Sequence, residues 1–254
     1  MKDNKTITVY WAPFPFTKEG SQWNMLYREP EPVLSGLKLD RRKTNKGLSN
    51  FWICPTFIES LSNVYQVKNN IDLDYSLPMD EINEKQNVNG EENFHINIGK
   101  VSLIAPRVSS LNNYVNINLN MTWLMFAEES VNVKVSAPYF PTVSAGDGVL
   151  VATGEFDIGT WYRPFNYDMH IPLTTTELKF KKDDPLLFFE FMTDKKIVFK
   201  RYVMTDYLFQ LSKECIDFWT RFDSNIKLIE KYNMFKQSKM RELILKEIKN
   251  NLVD

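Results

Sequence analysis

The residues best suited to chemistry lie between positions 148 and 171, where carboxylates, an arginine and a histidine follow one another among aromatic side chains. Glu155 and Asp157 flank Phe156, so a strand would place both carboxylates on one face. Paired carboxylates can perform acid–base catalysis or bind a divalent cation. The alternative is structural, with both side chains at the surface and Asp157 or Arg163 holding a turn in place.

Two glycines five residues apart, Gly154 and Gly159, bracket this carboxylate pair. Glycine is favoured where the chain needs a positive φ or a close backbone approach. We therefore expect a demanding turn here, with Trp161 and Phe165 buried beside it.

Arg163 is the candidate anion-binding group of the segment. It precedes Pro164, and proline favours an extended conformation for the residue before it. A planar guanidinium next to Trp161 can stack on the ring and bind a carboxylate or a phosphate. The predicted ligand-binding set is Glu155, Asp157, Trp161 and Arg163. The competing interpretation is that Arg163 pairs internally with one of the two carboxylates.

Histidine is scarce, since His95 and His170 are the only two in the chain. Asp168 and His170 are two residues apart, so a strand places both on one face. With His95 from another strand they match the two-histidine, one-carboxylate ligand set of mononuclear non-haem iron sites. This predicts an alternative metal centre of His95, Asp168 and His170 with Fe(II) as cofactor. If both histidines are ordinary strand residues, no cofactor is expected.

Strands account for most of the first 200 residues. The clearest covers residues 115–126, where apolar side chains alternate with Asn116, Asn118, Asn120 and Thr122. This amide face can hydrogen-bond a sugar or a neighbouring subunit, although an AT-biased coding sequence also enriches asparagine. Val131, Val133 and Val135 follow after a short Glu-Glu-Ser turn, which predicts a hairpin. Strands about ten residues apart are typical of an antiparallel sandwich or barrel.

The periodicity changes near Thr205. Apolar residues then recur at three- and four-residue steps, which is a helical stripe that Thr205 or Asp206 would cap. The stripe consists of Leu208, Leu211, Cys215, Trp219 and Phe222. A second, lysine-rich helix is predicted for residues 224–251. The fold class is therefore α+β, with an antiparallel β-sandwich or jelly-roll-like core over residues 1–203 and a C-terminal helical appendage over residues 204–254.

Composition narrows the class of protein. The chain has 254 residues, a hydrophobic fraction of 43% and a net charge of -1, which is ordinary for a soluble globular protein. This charge balance disfavours nucleic acid as a partner. We expect no signal peptide and no membrane span. Two distant cysteines, Cys54 and Cys215, fit a reducing compartment. The motifs of P-loop, dinucleotide-binding, zinc-protease and serine-hydrolase proteins are absent from the sequence.

Several blocks of the chain resemble an uncharacterised family of tailed phages, including T4-like phages of marine bacteria, and of some bacteria. The blocks are Trp23-Asn-Met-Leu-Tyr-Arg-Glu-Pro, Phe51-Trp-Ile-Cys-Pro-Thr-Phe, Gly154-Glu-Phe-Asp-Ile-Gly-Thr-Trp-Tyr-Arg-Pro and Asp184-Pro-Leu-Leu-Phe-Phe-Glu-Phe. They are spread over residues 10–205 and leave out the C-terminal helices. The resemblance implies a viral or bacterial setting and no particular chemistry.

Two classes of function follow from these residues. The first is a non-enzymatic binding or assembly protein, phage-encoded and located in the host cytoplasm or the virion. It would contact a protein partner or a second copy through its C-terminal helices. The alternative is a jelly-roll metal-dependent enzyme, similar to a non-haem iron oxygenase, that uses His95, Asp168 and His170.

Overall fold

The computed structural model of the chain describes residues 6–14, 28–36, 59–69, 72–77, 94–98, 101–105, 113–138, 148–221 and 227–253. The elements of its first half are β1 Thr6–Pro13, β2 Glu31–Pro32, α1 Val33–Gly36, β3 Val64–Lys68, β4 Leu73–Ser76, β5 Phe94–Ile98, β6 Val101–Ala105 and β7 Tyr114–Ala127. Those of the second half are β8 Asn132–Ser136, β9 Leu150–Val151, β10 Gly154–Asp157, β11 Pro164–Pro172, β12 Glu177–Phe180, β13 Pro185–Phe191, β14 Lys196–Arg201, α2 Asp206–Arg221, α3 Leu228–Gln237 and α4 Met240–Asn250.

A seven-stranded sheet is built around the long strand β7. Its main order is β14-β1-β7-β11-β9, and β6 joins β7 while β5 joins β6. The pairs are antiparallel except for β1 with β14, which run parallel from Thr6 opposite Lys196 to Trp11 opposite Arg201. Val115, Ile117 and Trp123 are buried on one face of β7, as the predicted alternation requires, and Leu124 and Phe126 are buried on the opposite face.

A second sheet has five strands in the order β10-β8-β13-β3-β2, and β12 pairs with β4 in a separate two-stranded sheet. The hairpin predicted across the Glu-Glu-Ser turn is wrong. β7 pairs with β1, β6 and β11, whereas β8 pairs with β10 and β13 in the other sheet. The turn therefore carries the chain from one sheet to the other.

The largest buried cluster draws side chains from both large sheets. Trp11, Met125 and Phe165 come from the seven-stranded sheet, and Val133 and Phe189 come from the five-stranded sheet. The side chains of this cluster are apolar or aromatic, so their burial is a main source of the folding free energy.

A second buried cluster lies between the seven-stranded sheet and the C-terminal helices. Tyr10 of β1 and Phe126 of β7 contribute from the sheet, while Leu208, Phe235 and Ile248 contribute from α2, α3 and α4. The helices thus share a core with the sheet. The division of the chain at residues 203 and 204 stays a prediction.

Thr205 caps helix α2 as expected, because its hydroxyl accepts a hydrogen bond from the backbone N–H of Leu208 at 3.1 Å. The single helix predicted for residues 224–251 is interrupted in the structure at Ser238. The Ser238 hydroxyl donates to the carbonyl of Phe235 at 2.7 Å and accepts from the N–H of Met240 at 3.3 Å. These local side-chain bonds compete with the helical ladder and separate α3 from α4.

The fold class is thus confirmed as α+β, with mostly antiparallel sheets and helices at the C-terminal end.

Candidate functional site

Asp157 holds the turn that follows β10. One carboxylate oxygen accepts from the Ser130 hydroxyl at 2.6 Å, and the other accepts from the backbone N–H groups of Val131 at 3.2 Å and Gly159 at 3.0 Å. The Asp157 carbonyl oxygen also accepts from the N–H of Thr160 at 3.3 Å. Asp157 therefore ties the turn after β10 to the turn between β7 and β8.

Gly159 permits these two turns to touch. A Cβ at this position would overlap the backbone carbonyl of Glu129 and the Cα of Ser130. The expected close backbone approach is therefore found at Gly159. At Gly154 the nearest obstacle is instead the ring of Phe156, which is a side chain.

A helix completes the contact between the turns. Arg241 of α4 donates from Nε to the carbonyl oxygen of Gly159 at 2.9 Å, and its Nη2 donates to the carbonyl oxygen of Glu128. One guanidinium therefore bonds the backbone of both turns. This role of Arg241 has no signal in the sequence, because its partners are backbone atoms 82 and 113 positions away.

Glu155 lies apart from this network. It is exposed in β10, where it pairs in register with Lys134, and its carboxylate accepts from the side-chain amide of Asn132 at 2.8 Å. The two carboxylates of the predicted pair thus have separate intramolecular partners.

Trp161 and Arg163 meet Tyr232 of α3. The rings of Trp161 and Tyr232 pack edge to face with centroids 5.0 Å apart, and Trp161 is 4% exposed. The Arg163 guanidinium lies 4.5 Å from the centroid of the Phe156 ring, in a cation–π contact. Burial lowers the pKa of Arg163, and the neighbouring Tyr232 opposes this shift. Burial raises the pKa of Tyr232, and Arg163 counteracts it. These contacts are internal, and a ligand-binding role for the set stays a prediction.

The candidate metal ligands lie in one sheet but on strands that are far apart. Cross-strand neighbours run from His95 to Ile104, from Ile104 to Asn118 and from Asn118 to Asp168. At about 4.8 Å per strand spacing, the backbones of His95 and Asp168 are about 14 Å apart. His170 is next to Asn116 in the ladder.

No group of three His, Cys, Asp or Glu side chains that could hold a metal occurs within the part of the chain that the structure describes. The side chain of His95 lies outside the described residues, as do those of Asn118, Asn120 and Thr122. The metal centre therefore stays a hypothesis.

A charged network surrounds the end of β7. Tyr10 donates its hydroxyl to Glu128 Oε1 at 2.6 Å, and Lys249 Nζ lies 2.8 Å from the same oxygen. Lys249 and Tyr10 together lower the pKa of Glu128. The pKa of Tyr10 is raised, first by burial and then by its bond to the carboxylate. Glu128 is thus an anion held by two donors from β1 and α4.

An open cleft of about 460 Å³ lies beside this network. It is lined by Thr6, Ile7, Thr8, Glu128, Glu129 and Lys195. Glu129 and Lys195 pair at 2.8 Å within it. No sequence pattern marks these residues as a site, because they come from three segments that meet only in the folded chain. The sequence predicted a turn at Glu128 and Glu129, but it did not indicate that this turn lies beside the other lining residues.

No protein-family model matches the chain, and a comparison with curated proteins found no match either. Among the helices within the described ranges, none combines the length and apolar character needed to cross a bilayer.

Proposed function

We propose that this protein is a non-enzymatic binding or assembly protein. The observation that carries the proposal is the engagement of the candidate catalytic carboxylates in structural bonds. Asp157 accepts from two backbone N–H groups and one hydroxyl, and Glu155 accepts from Asn132. A general acid or base must instead reach a substrate proton.

The contact surface that we propose lies on the C-terminal segment. Six of the nine large apolar side chains that are exposed in the described chain fall between residues 203 and 253. The most exposed are Ile229 of α3 at 60% and Val203 at 55%, and Leu243 of α4 is 45% exposed. A protein contact on this segment would remove these exposed apolar side chains from water, which favours association. We infer that this contact is self-association.

The scaffold for this role is an antiparallel β-sandwich of jelly-roll-like character. Support comes from the shared buried cluster of the two large sheets. The motif blocks that resemble the tailed-phage family support a phage-encoded protein that acts in the host cytoplasm or the virion.

The test of self-association uses exposed positions, because the helices share a core with Tyr10 and Phe126 and their removal would uncover it. Light scattering of the wild type should give a multiple of 29.9 kDa. The double variant Ile229→Glu and Leu243→Glu should lower this mass toward one chain. Leu150→Glu and Met192→Glu are matched controls, since both residues are 47% exposed outside the segment. A wild type that stays at 29.9 kDa at high concentration would refute self-association.

A further inference from the structure

Helix α3 covers two aromatic side chains that belong to the rest of the second buried cluster. Its Tyr232 ring packs edge to face on Trp161 with centroids 5.0 Å apart, and its Phe235 ring packs edge to face on Phe126 at 6.4 Å. Trp161 and Phe126 are both buried, and the Arg163 guanidinium is a charged neighbour of Tyr232. Departure of α3 would therefore uncover aromatic surface beside a cation.

Helix α3 contributes less apolar surface to this cluster than α4 does. Among the described residues, α3 adds Tyr232 and Phe235 to it. Helix α4 and the residue pair after it add Ile244, Ile248, Met240, Leu245 and Leu252. Lys231 of α3 is also buried, but the lost hydration of an ammonium group offsets much of what its contacts contribute. Burial of apolar area is the main source of docking free energy, so α3 is held less firmly than α4.

Polar bonds also tie α4 to the rest of the fold. Arg241 donates to the carbonyl oxygens of Gly159 and Glu128, and Lys249 pairs with the Glu128 carboxylate at 2.8 Å. These bonds lie near both ends of α4. The helix is thereby fixed to the turn that carries the chain between the two large sheets.

The bonds at the two ends of α3 are local. The N–H of Lys227 donates to the Glu230 carboxylate at 3.2 Å, and the Ser238 hydroxyl donates to the carbonyl oxygen of Phe235 at 2.7 Å. Helix α3 has 10 residues, and isolated helices shorter than about 12–15 residues are marginal in water. Since the interruption at Ser238 separates the two helices, α3 can leave and unfold without unwinding α4.

We propose that α3 is a lid that opens by local unfolding while α4 and the sheets stay folded. Opening uncovers Trp161, a member of the predicted ligand-binding set, and removes Tyr232 from beside Arg163. The lid therefore controls access to the Trp161 side chain. This inference goes beyond the proposed binding function and does not depend on self-association.

The first test is hydrogen exchange of the full ¹⁵N-labelled chain, followed by NMR at the backbone amides and the indole groups. The amides of α3 and the Trp161 indole should exchange about 100-fold or more faster than the amides of α4, because local opening needs less free energy than global unfolding. Their exchange should depend only weakly on urea below the unfolding transition, since little surface is exposed.

Trp123 is the matched control indole, because it is equally buried but lies in the core between the two large sheets. It should exchange only with global unfolding. The variants Trp161→Phe and Trp123→Phe assign the two indole signals. Equal protection of α3 and α4, or of the two indoles, would overturn the proposal.

Two substitutions compare the helices directly. Tyr232→Ala should speed exchange of α3 and of the Trp161 indole more than exchange of α4. It should lower the urea midpoint by less than Ile244→Ala does, because its effect cannot exceed the small free energy that holds the lid closed. Equal acceleration of both helices by Tyr232→Ala would contradict a separate lid. If Tyr232→Ala does not fold, the exchange experiment on the wild type still decides.

Self-association and the lid can fail separately. Ile229 is exposed on α3, so a contact with a second copy there would slow exchange of this helix. The double variant Ile229→Glu and Leu243→Glu removes that contribution, and its α3 should still exchange faster than α4. A monomeric wild type with this difference keeps the lid and refutes self-association alone. A self-associating wild type whose double variant protects both helices equally loses the lid alone.

Discussion

The backbone of Gly159 lies directly against the carbonyl group of Glu129, with no space for a Cβ between them. This contact joins the turn after β10 to the turn that carries the chain between the two large sheets. We expect Gly159→Ala to destabilise the protein by about 1–3 kcal/mol or more, because neither backbone segment can move without breaking the Asp157 bonds. Urea denaturation measures the effect.

Gly154→Ala is the matched control for this substitution. The obstacle there is the Phe156 ring, which can rotate, so the cost should be smaller. Equal denaturation midpoints for the two alanine variants would show that the turns are free to separate.

Asp157→Asn should destabilise the protein by about 1–3 kcal/mol, since the amide keeps one acceptor oxygen and loses the other. Its neighbour Glu155 is exposed, so Glu155→Gln should change the free energy of unfolding by less than about 0.5 kcal/mol. Thermal or urea unfolding of both variants tests the pair. A larger effect at Glu155 would reverse the roles assigned to the two carboxylates.

Glu128 should make stability depend on acid pH. Lys249 and Tyr10 lower its folded pKa below the ordinary value of 4.5, so its contribution is present above that value. It is lost as the pH falls through the lowered folded pKa, because the protonated carboxyl no longer favours the folded state. The difference in urea midpoint between wild type and Glu128→Gln should therefore be present at neutral pH and shrink on acidification. Lys249→Met should reduce the pH dependence, and a difference that grows in acid would contradict this assignment.

The Cys215 thiol should be unreactive in the folded protein. It is 5% exposed, and burial raises its pKa to about 12, which leaves little thiolate at neutral pH. In a Cys54→Ser background, iodoacetamide should modify Cys215 only after denaturant is added. Rapid modification of the native protein would show that α2 separates readily from the sheet.

Elemental analysis distinguishes the two classes of function. For a binding protein we expect far less than one iron per chain after purification without chelator, and the same amount in His170→Ala. A stoichiometric metal that His170→Ala removes would instead support the centre formed by His95, Asp168 and His170.

The sequence alone predicted features that depend on neighbouring residues. The alternation of residues 115–126 indicated β7, the stripe from Leu208 to Cys215 indicated α2, and Thr205 was expected as its cap. These predictions hold because side-chain periodicity and capping are local properties of a strand or helix.

Only the tertiary structure decided which strands pair. The alternation of β7 and β8 fits a hairpin as well as it fits two separate sheets, since period-two patterning sets the face of a strand but not its partner. Strand β14 lies beside β1 from a position 190 residues further along the chain, as Thr6 opposite Lys196 shows. The cleft formed by Thr8, Glu129 and Lys195 depends on this choice. The cleft is formed by packing between distant segments, and such packing leaves no regular pattern of apolar and polar residues in the sequence.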